Sequence, residues 1–319
     1  MPHTWRVLVS APAFLSVIEE YQERLGPRGV VLVAAPVAER LEEEDLLELL
    51  PGFDGIISGD DQITDRVLEA SPRLKVISKW GTGIDSIDSA AAARRGIPVY
   101  RTLNAFTDPV ADSVMAYILA FARQIPWMDR DVREGCWSPK RQGMALCDGV
   151  LGVVGIGNIG KAVVRRAVAF GMTVLGADPV PVPDAFCVET GLQILSLHDL
   201  LARCDFVALA CTRTPGSGPT IGDTEIRLMK PGAYLINTAR GPLVDEAALA
   251  RALAEGRLGG AGLDVFEEEP LPADSPLRRL DNCLLSPHNA NSSLKAYRRV
   301  HESTVQNLLE GFGIVEQVE

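Results

Sequence analysis

The chain has 319 residues, 47% of them apolar and 23% charged, with a net charge of −11. That length and balance suit two globular domains of ordinary size, each with its own core. The acidic excess argues against nucleic acid and anionic membranes as partners, because both need a basic face, but a small anionic substrate needs only local positive charge. The start of the chain has no basic segment followed by an apolar core, and no apolar run reaches about 18 residues, so neither a signal peptide nor a membrane span is expected. The six cysteines are scattered without a CxxC pair. They read as small buried apolar residues, with no metal site or disulfide, in a reduced cytoplasmic protein.

In chain order, residues 6–102 alternate strand and helix signals. Strands are expected at 6–10, 30–33, 55–58, 74–78 and 99–102. The helices between them are expected at 14–25, 41–50, 64–70 and 87–95, the third capped by Thr64 and the fourth stopped by Gly96. The acidic run Glu42–Asp45 reads as a solvated first turn. Asp108-Pro109 then opens a long helix through about Gln124, because Pro suits the first turn. Residues 126–148 are mixed, around Trp137. From Val150 a second series begins, with strands at 150–154, 173–177, 206–210, 233–237, 261–265 and 283–286. Its helices are expected at 159–170, 197–203, 224–229 and 245–255, with a last helix at 293–309. The stretch 178–184, with three prolines, reads as a stiff loop. Repeated βα units of this kind imply an α/β protein with doubly wound parallel sheets, one in each half.

The second series opens on Gly155-Ile156-Gly157-Asn158-Ile159-Gly160, between an apolar strand and a helix. The second strand ends on Asp178, 18 residues after Gly160. Strand, glycine turn, helix, strand and acid together form a dinucleotide fingerprint. Gly155 permits the turn, Gly157 lets a pyrophosphate approach, and Gly160 lets helix and strand pack. The helix start offers free N–H groups to the phosphates. Asp178 suits ribose hydroxyls and would repel a 2′-phosphate, so the cofactor is expected to be NAD.

Three ionisable residues follow strands of the same half: Arg240, Glu269 and His288. Ligands of open α/β sheets bind outside the carboxyl ends of the strands, so all three point to one crevice. Their chemistry is complementary. Hydride transfer at a carbinol carbon needs an acid/base, for which His is suited near neutral pH. A carboxylate on the far imidazole nitrogen fixes the tautomer, and an Arg fork holds a substrate carboxylate. His3, His198 and His301 lack such a setting and read as structural or surface residues, His198 as a helix cap.

Taken together, these residues resemble the D-isomer-specific 2-hydroxyacid dehydrogenases, most closely the catalytic part of D-3-phosphoglycerate dehydrogenases. The similarity runs through Lys79–Asp88, the fingerprint, Asn237–Asp245, Gly262–Pro270 and Ser286-Pro287-His288. It implies a discontinuous, flavodoxin-like substrate domain (1–102 with 289–319) and an inserted Rossmann NAD-binding domain (103–288). It implies catalytic roles for Arg240, Glu269 and His288, Glu269 being chosen over Glu267 and Glu268 because it directly precedes Pro. The implied cofactor contacts are Thr82, Gly155, Gly157, Asn158, Ile159, Gly160, Asp178, Thr212, Thr238, Ala239, Arg240, Asp264 and His288. Asp264 matches a nicotinamide carboxamide ligand. Lys79, Trp80, Gly81, Thr82, Gly83 and Arg240 match substrate contacts. A homodimer is implied, with the 126–148 segment at its interface.

One departure concerns the substrate. Several phosphoglycerate dehydrogenases carry an Arg after the third strand, where this chain has Ser58-Gly59-Asp60-Asp61-Gln62. Both acids are expected to repel a phosphate, with Lys79 compensating in part. Reduction of hydroxypyruvate or glyoxylate is therefore the alternative within the class, and a corepressor-like NADH-sensing binding protein is the alternative outside it. At this length, feedback control through the serine-binding regulatory domain of longer relatives is not expected.

Overall fold

The computed structural model describes residues 4–212 and 217–314. His3 and the stretch 213–215 after Thr212 lie outside the described residues. The chain divides into two units, 1–106 with 293–319, and 107–292. Both junctions fall a few residues after the expected ones.

The first unit holds five parallel strands: β1 (Trp5–Val9), β2 (Val30–Ala34), β3 (Gly55–Ser58), β4 (Val76–Lys79) and β5 (Val99–Arg101). Their order is β2-β1-β3-β4-β5, the doubly wound order of flavodoxin-like sheets. Central parallel strands are buried on both faces, and β3 and β4 are buried at every position, apolar in their first halves and ending on Ser58 and on Ser78-Lys79. Leu8, Ile56 and Ile77 face one core with Leu46, Val67, Leu68 and Ala91. The opposite side of β4 meets helix Leu294–Gly311, where the Ser78 hydroxyl donates to Thr304 O at 2.8 Å. Thr64 caps helix Asp65–Glu69 as expected, its Oγ1 accepting the Val67 N–H at 3.3 Å. The expected helix 14–25 is instead two, Pro12–Leu15 and Ile18–Leu25. The break follows Ser16, whose hydroxyl turns back to Ala13 O at 2.8 Å, a local bond that competes with helix propagation.

The second unit holds seven parallel strands: β6 (Val150–Val154), β7 (Thr173–Ala177), β8 (Gln193–Ile194), β9 (Phe206–Leu209), β10 (Tyr234–Asn237), β11 (Gly260–Leu263) and β12 (Cys283–Leu285). The order is β12-β11-β10-β9-β6-β7-β8, the Rossmann arrangement with one further strand. Alternate residues supply two cores. Leu151, Val153, Phe206, Ala208 and Ile236 pack on one face, and Val154, Val207, Leu209 and Leu235 on the other. Helix Thr107–Arg123 covers the first of these through Val114, Ile118 and Phe121. A side chain such as Phe206, wholly buried, contributes roughly 1.5–3 kcal/mol. Of the cysteines, only Cys204 and Cys283 are buried; Cys136 and Cys147 are exposed, contrary to the expectation that all would serve as core residues. No helix among the described residues is long and apolar enough to cross a membrane.

Candidate active site

The register of the second sheet gathers the site. Ala177 pairs with Val154, Val154 with Leu209, Leu209 with Asn237, Asn237 with Leu263, and Leu263 with Leu285. These six strand ends form one row. The residues that follow them therefore emerge along one edge: Asp178, Gly155, Ala210–Thr212, Thr238–Arg240, Asp264–Glu269 and Ser286–His288.

Gly155 has φ +92°, and a Cβ there would stand 2.6 Å from the Cys211 backbone. A Cβ on Gly160 would lie 2.0 Å from Gly155 O. Both positions thus exclude a side chain. Gly157 differs, for a Cβ there meets nothing within 4 Å, so the turn opens to space beside the start of helix Asn158–Ala169. Asp178 Oδ2 accepts the Ile156 N–H at 2.6 Å and its Oδ1 the Val180 N–H at 2.8 Å. Those bonds hold the carboxylate against the turn and leave acceptor capacity on both oxygens. Thr238 Oγ1 is buried without a hydrogen-bond partner among the described residues. An open turn at a helix start, a strand-end carboxylate and a buried unsatisfied hydroxyl fit a dinucleotide. Thr212 is exposed after β9.

Two loops carry the ionisable groups. Asn237 closes the first, its Nδ2–H donating to Arg240 O at 2.8 Å and its Oδ1 accepting the Ala239 N–H at 3.1 Å. Arg240 Nη1 donates to Ala239 O at 2.7 Å. Gly241 lets this loop press on the next, since a Cβ there would lie 1.8 Å from Phe266 O. In that second loop Glu269 Oε1 accepts the Phe266 N–H at 2.9 Å, while its Oε2 is 2.8 Å from His288 Nδ1. Both side chains are partly exposed, 18% for Glu269 and 25% for His288. The carboxylate accepts a hydrogen bond from Nδ1–H, which leaves Nε2 as the ring's second, exchangeable site. Glu267 is otherwise engaged, since it accepts the Glu246 N–H at 3.1 Å.

His288 has φ +49°, the left-handed region that non-glycine residues seldom occupy. Asp264, only 1% exposed, holds it there. The His288 N–H donates to Asp264 O at 2.7 Å, and the Asp264 carboxylate accepts the Asn289 and Ala290 N–H groups, each at 2.8 Å, and the Ser286 hydroxyl. The Tyr117 hydroxyl lies 2.6 Å from Ser286 Oγ, and burial pushes its pKa up to about 12. Asp264 was expected among the cofactor contacts; its carboxylate is spent largely on this loop. Ser286, Tyr117 and Asn237 are supporting residues that the sequence reading did not single out. The one available signal was Asn237, a turn-forming side chain just before Arg240.

In the first unit, the Trp80–Gly83 loop follows β4. Gly81 has φ +119°. Its carbonyl accepts the Thr102 N–H at 2.8 Å, and the Thr82 hydroxyl donates to Thr102 O at 2.8 Å. Lys79 was expected to meet substrate, but its side chain is 5% exposed and its Nζ lies 3.0 Å from Asp60 Oδ1 and donates to Trp80 O at 3.1 Å. Asp61 is fully buried and accepts from the Ser10 hydroxyl at 2.5 Å, the Leu41 N–H at 2.8 Å and the Gly59 N–H at 2.9 Å. It therefore does not face a ligand, and the expectation of two repelling acids is corrected to one, Asp60. Burial raises the Asp61 pKa despite those bonds. His198 is not a cap either. Ser196 caps that helix, and His198 Nε2 lies 3.4 Å from Glu225.

The sequence profile described as the D-isomer specific 2-hydroxyacid dehydrogenase NAD binding domain matches residues 115–290. The chain belongs to the D-isomer specific 2-hydroxyacid dehydrogenase family. It is an NAD-dependent oxidoreductase, and its second unit is the family's NAD-binding domain. This dehydrogenase is 40% identical over 270 residues to a glyoxylate reductase of Korarchaeum cryptofilum, covering 83% of this chain and 81% of the relative. It is 41% identical over 265 residues to a D-3-phosphoglycerate dehydrogenase of Methanocaldococcus jannaschii, covering 82% of this chain but 50% of that relative. The dehydrogenase thus spans about half of such longer relatives. Among solved structures, a D-lactate dehydrogenase from Aquifex aeolicus complexed with NAD and lactic acid superposes with TM-score 0.87 at 31% identity, covering 98% of this chain and 97% of the other.

Proposed function

We propose that this dehydrogenase reduces a small, unphosphorylated 2-oxo acid, with His288 as the proton donor. The Glu269–His288 contact of 2.8 Å carries the reading. Glu269 fixes Nδ1 as the protonated nitrogen and stabilises the imidazolium, so Nε2 is left to give a proton to the substrate oxygen and to take one in the reverse direction. The Gly155–Gly160 turn, Asn158, Ile159, Asp178, Thr212, Thr238 and Ala239 would hold the cofactor, whose reduced form, NADH, would supply the hydride for C2 and leave as NAD+. Arg240 offers a forked donor to the substrate carboxylate and polarises the carbonyl. Asp264 keeps the His288 loop in place. On the first unit, substrate recognition rests with the Trp80–Gly83 loop, where glycine backbone permits close approach, and Thr82 serves the cofactor.

The charge beside that loop supports an unphosphorylated substrate. The Lys79 ammonium is matched by Asp60, so Lys79 is not an unopposed cation for a phosphate dianion. Glyoxylate and hydroxypyruvate fit this reading; oxidation of phosphoglycerate does not. We further propose a cytoplasmic homodimer. Dimerisation is supported by the exposed apolar side chains of Ile125, Met128, Val132 and Trp137, and the location by the free cysteines.

The test is NADH oxidation across a panel of glyoxylate, hydroxypyruvate, pyruvate and phosphohydroxypyruvate. His288→Ala should lower kcat on the best substrate by roughly 10²–10⁴-fold with little change in NADH affinity. Unchanged turnover would remove His288 from the mechanism, and a preference for the phosphorylated acid would overturn the substrate reading.

A further inference from the structure

Trp80 heads the proposed substrate loop, yet its side chain is held from elsewhere. Its indole Nε1–H donates to Nδ1 of His301, 3.0 Å away on helix Leu294–Gly311. Both residues are buried, at 8% and 5% exposure. The Trp80 ring meets Tyr297 edge-on with centroids 5.1 Å apart, and Phe106 at 5.6 Å. His301 in turn meets Phe14 edge-on at 5.4 Å. Rings thus enclose the indole, and His301 accepts its one polar hydrogen.

The rest of the loop is held mainly through its backbone, the Trp80 N–H donating to Ser58 O at 2.9 Å and Gly81 O accepting the Thr102 N–H at 2.8 Å. Gly81 and Gly83 have no side chains, and Thr82 is tied through its hydroxyl to Thr102 O. Lys79 Nζ and Arg101 Nη1 donate to the Trp80 and Thr82 carbonyls at 3.1 and 3.2 Å, and the Trp80 indole is the hold that ties the head of the loop to helix Leu294–Gly311. For Nδ1 to accept, the imidazole must be neutral with its proton on Nε2. The titratable groups facing it are Glu20 and Tyr21 from helix Ile18–Leu25, and its neighbour Glu302, which is paired with Arg24 at 2.7 Å. Lys79, beside Trp80, is matched by Asp60. Burial outweighs the two carboxylates and lowers the pKa of His301 from its ordinary value.

We propose that His301 is a positioning residue for substrate recognition: the neutral imidazole fixes Trp80 and through it the Gly81–Gly83 backbone, and protonation of His301 releases that hold. The inference rests on the reading of the 80–83 loop as the substrate loop.

Three variants test it. His301→Phe keeps ring packing and removes the acceptor, His301→Asn places an amide oxygen near the position of Nδ1, and Trp80→Phe removes the donor. The readouts are KM for the best 2-oxo acid of the panel, kcat, KM for NADH, and the indole N–H resonance that Trp80→Phe deletes. His301→Phe should move that resonance and raise the 2-oxo acid KM about fivefold, the weight of one neutral hydrogen bond, with kcat and NADH KM little changed. His301→Asn should restore KM, and Trp80→Phe with His301→Phe should cost no more than either alone. Lowering pH from 7.5 to 5.5 should raise KM more in the unmodified enzyme than in His301→Asn. An unmoved resonance, a moved resonance with unchanged KM, or a KM rise that His301→Asn does not rescue would each overturn the proposal. Gly81→Ala separates this from a failure of the underlying reading. If it leaves the 2-oxo acid KM unchanged, the loop does not serve substrate at all.

Discussion

Asp264→Asn removes one acceptor oxygen from beneath the loop that carries His288 while keeping the side chain's shape. In the native chain one carboxylate oxygen takes the Ser286 hydroxyl and the Asn289 N–H, and the other takes the Ala290 N–H. Whichever way the new amide turns, its NH2 faces a backbone N–H at a site 1% exposed. A hydrogen bond to a charged group is worth about 1.5–3 kcal/mol, and a stranded buried donor costs about 1–3 kcal/mol, so a loss of roughly 3 kcal/mol is expected. For a domain of this size that is about 6–12 °C in Tm. The functional loss follows from His288, whose φ of +49° costs about 1–3 kcal/mol and persists only while the loop holds it. Once released, the imidazole leaves Glu269, and kcat should fall at least tenfold. Calorimetry, steady-state kinetics and NADH fluorescence titration measure the three quantities. The reasoning is refuted if Tm and kcat both stay at native values. If NADH affinity collapses while kcat at saturating cofactor is retained, Asp264 acts on the nicotinamide, as the family resemblance implies, and not on the loop.

Two further outcomes are expected. Asp60→Ser removes the partner of a nearly buried ammonium, and should raise kcat/KM for phosphohydroxypyruvate relative to glyoxylate by about tenfold; an unchanged ratio would detach Lys79 and Asp60 from substrate choice. Because the pKa of His301 is lowered in the fold, the unfolded chain takes up its proton first as pH falls. Its contribution to stability is present above about pH 6.5 and is lost as pH drops toward the lower folded value. Melting curves from pH 7.5 to 5.5 should show a steeper loss for the native chain than for His301→Asn.

The doubly wound sheets were legible because central parallel strands are apolar on both faces, and runs such as Val150–Val154 and Phe206–Leu209 admit no other reading. Their carboxyl ends then located the Arg240, Glu269 and His288 loops without a structure. Elements outside that logic were missed. Helix Asp184–Thr190 follows a run of prolines that reads as loop, yet Phe186 buries itself in the core beside it. Strand β8 is two exposed residues at a sheet edge, too short for a period. Side-chain direction was also illegible. Nothing in Asp60-Asp61 distinguishes an acid beside Lys79 from one sunk beneath Ser10, and Asp264 carries no sequence mark of how many backbone donors it receives. His301 was set aside because its partner, Trp80, lies 221 positions away.

The contact between Ser78 and Thr304, and that between Trp80 and His301, join β4 and its loop to a helix separated from them by the whole second unit. During synthesis the first 106 residues emerge without the helix that packs on β3, β4 and β5. The second unit is continuous in sequence, so it can complete its own fold first. Helix Leu294–Gly311 arrives afterwards and closes the older unit. Birth order and maturation order are therefore reversed, and the Trp80–Gly83 loop is among the last parts of the molecule to be set.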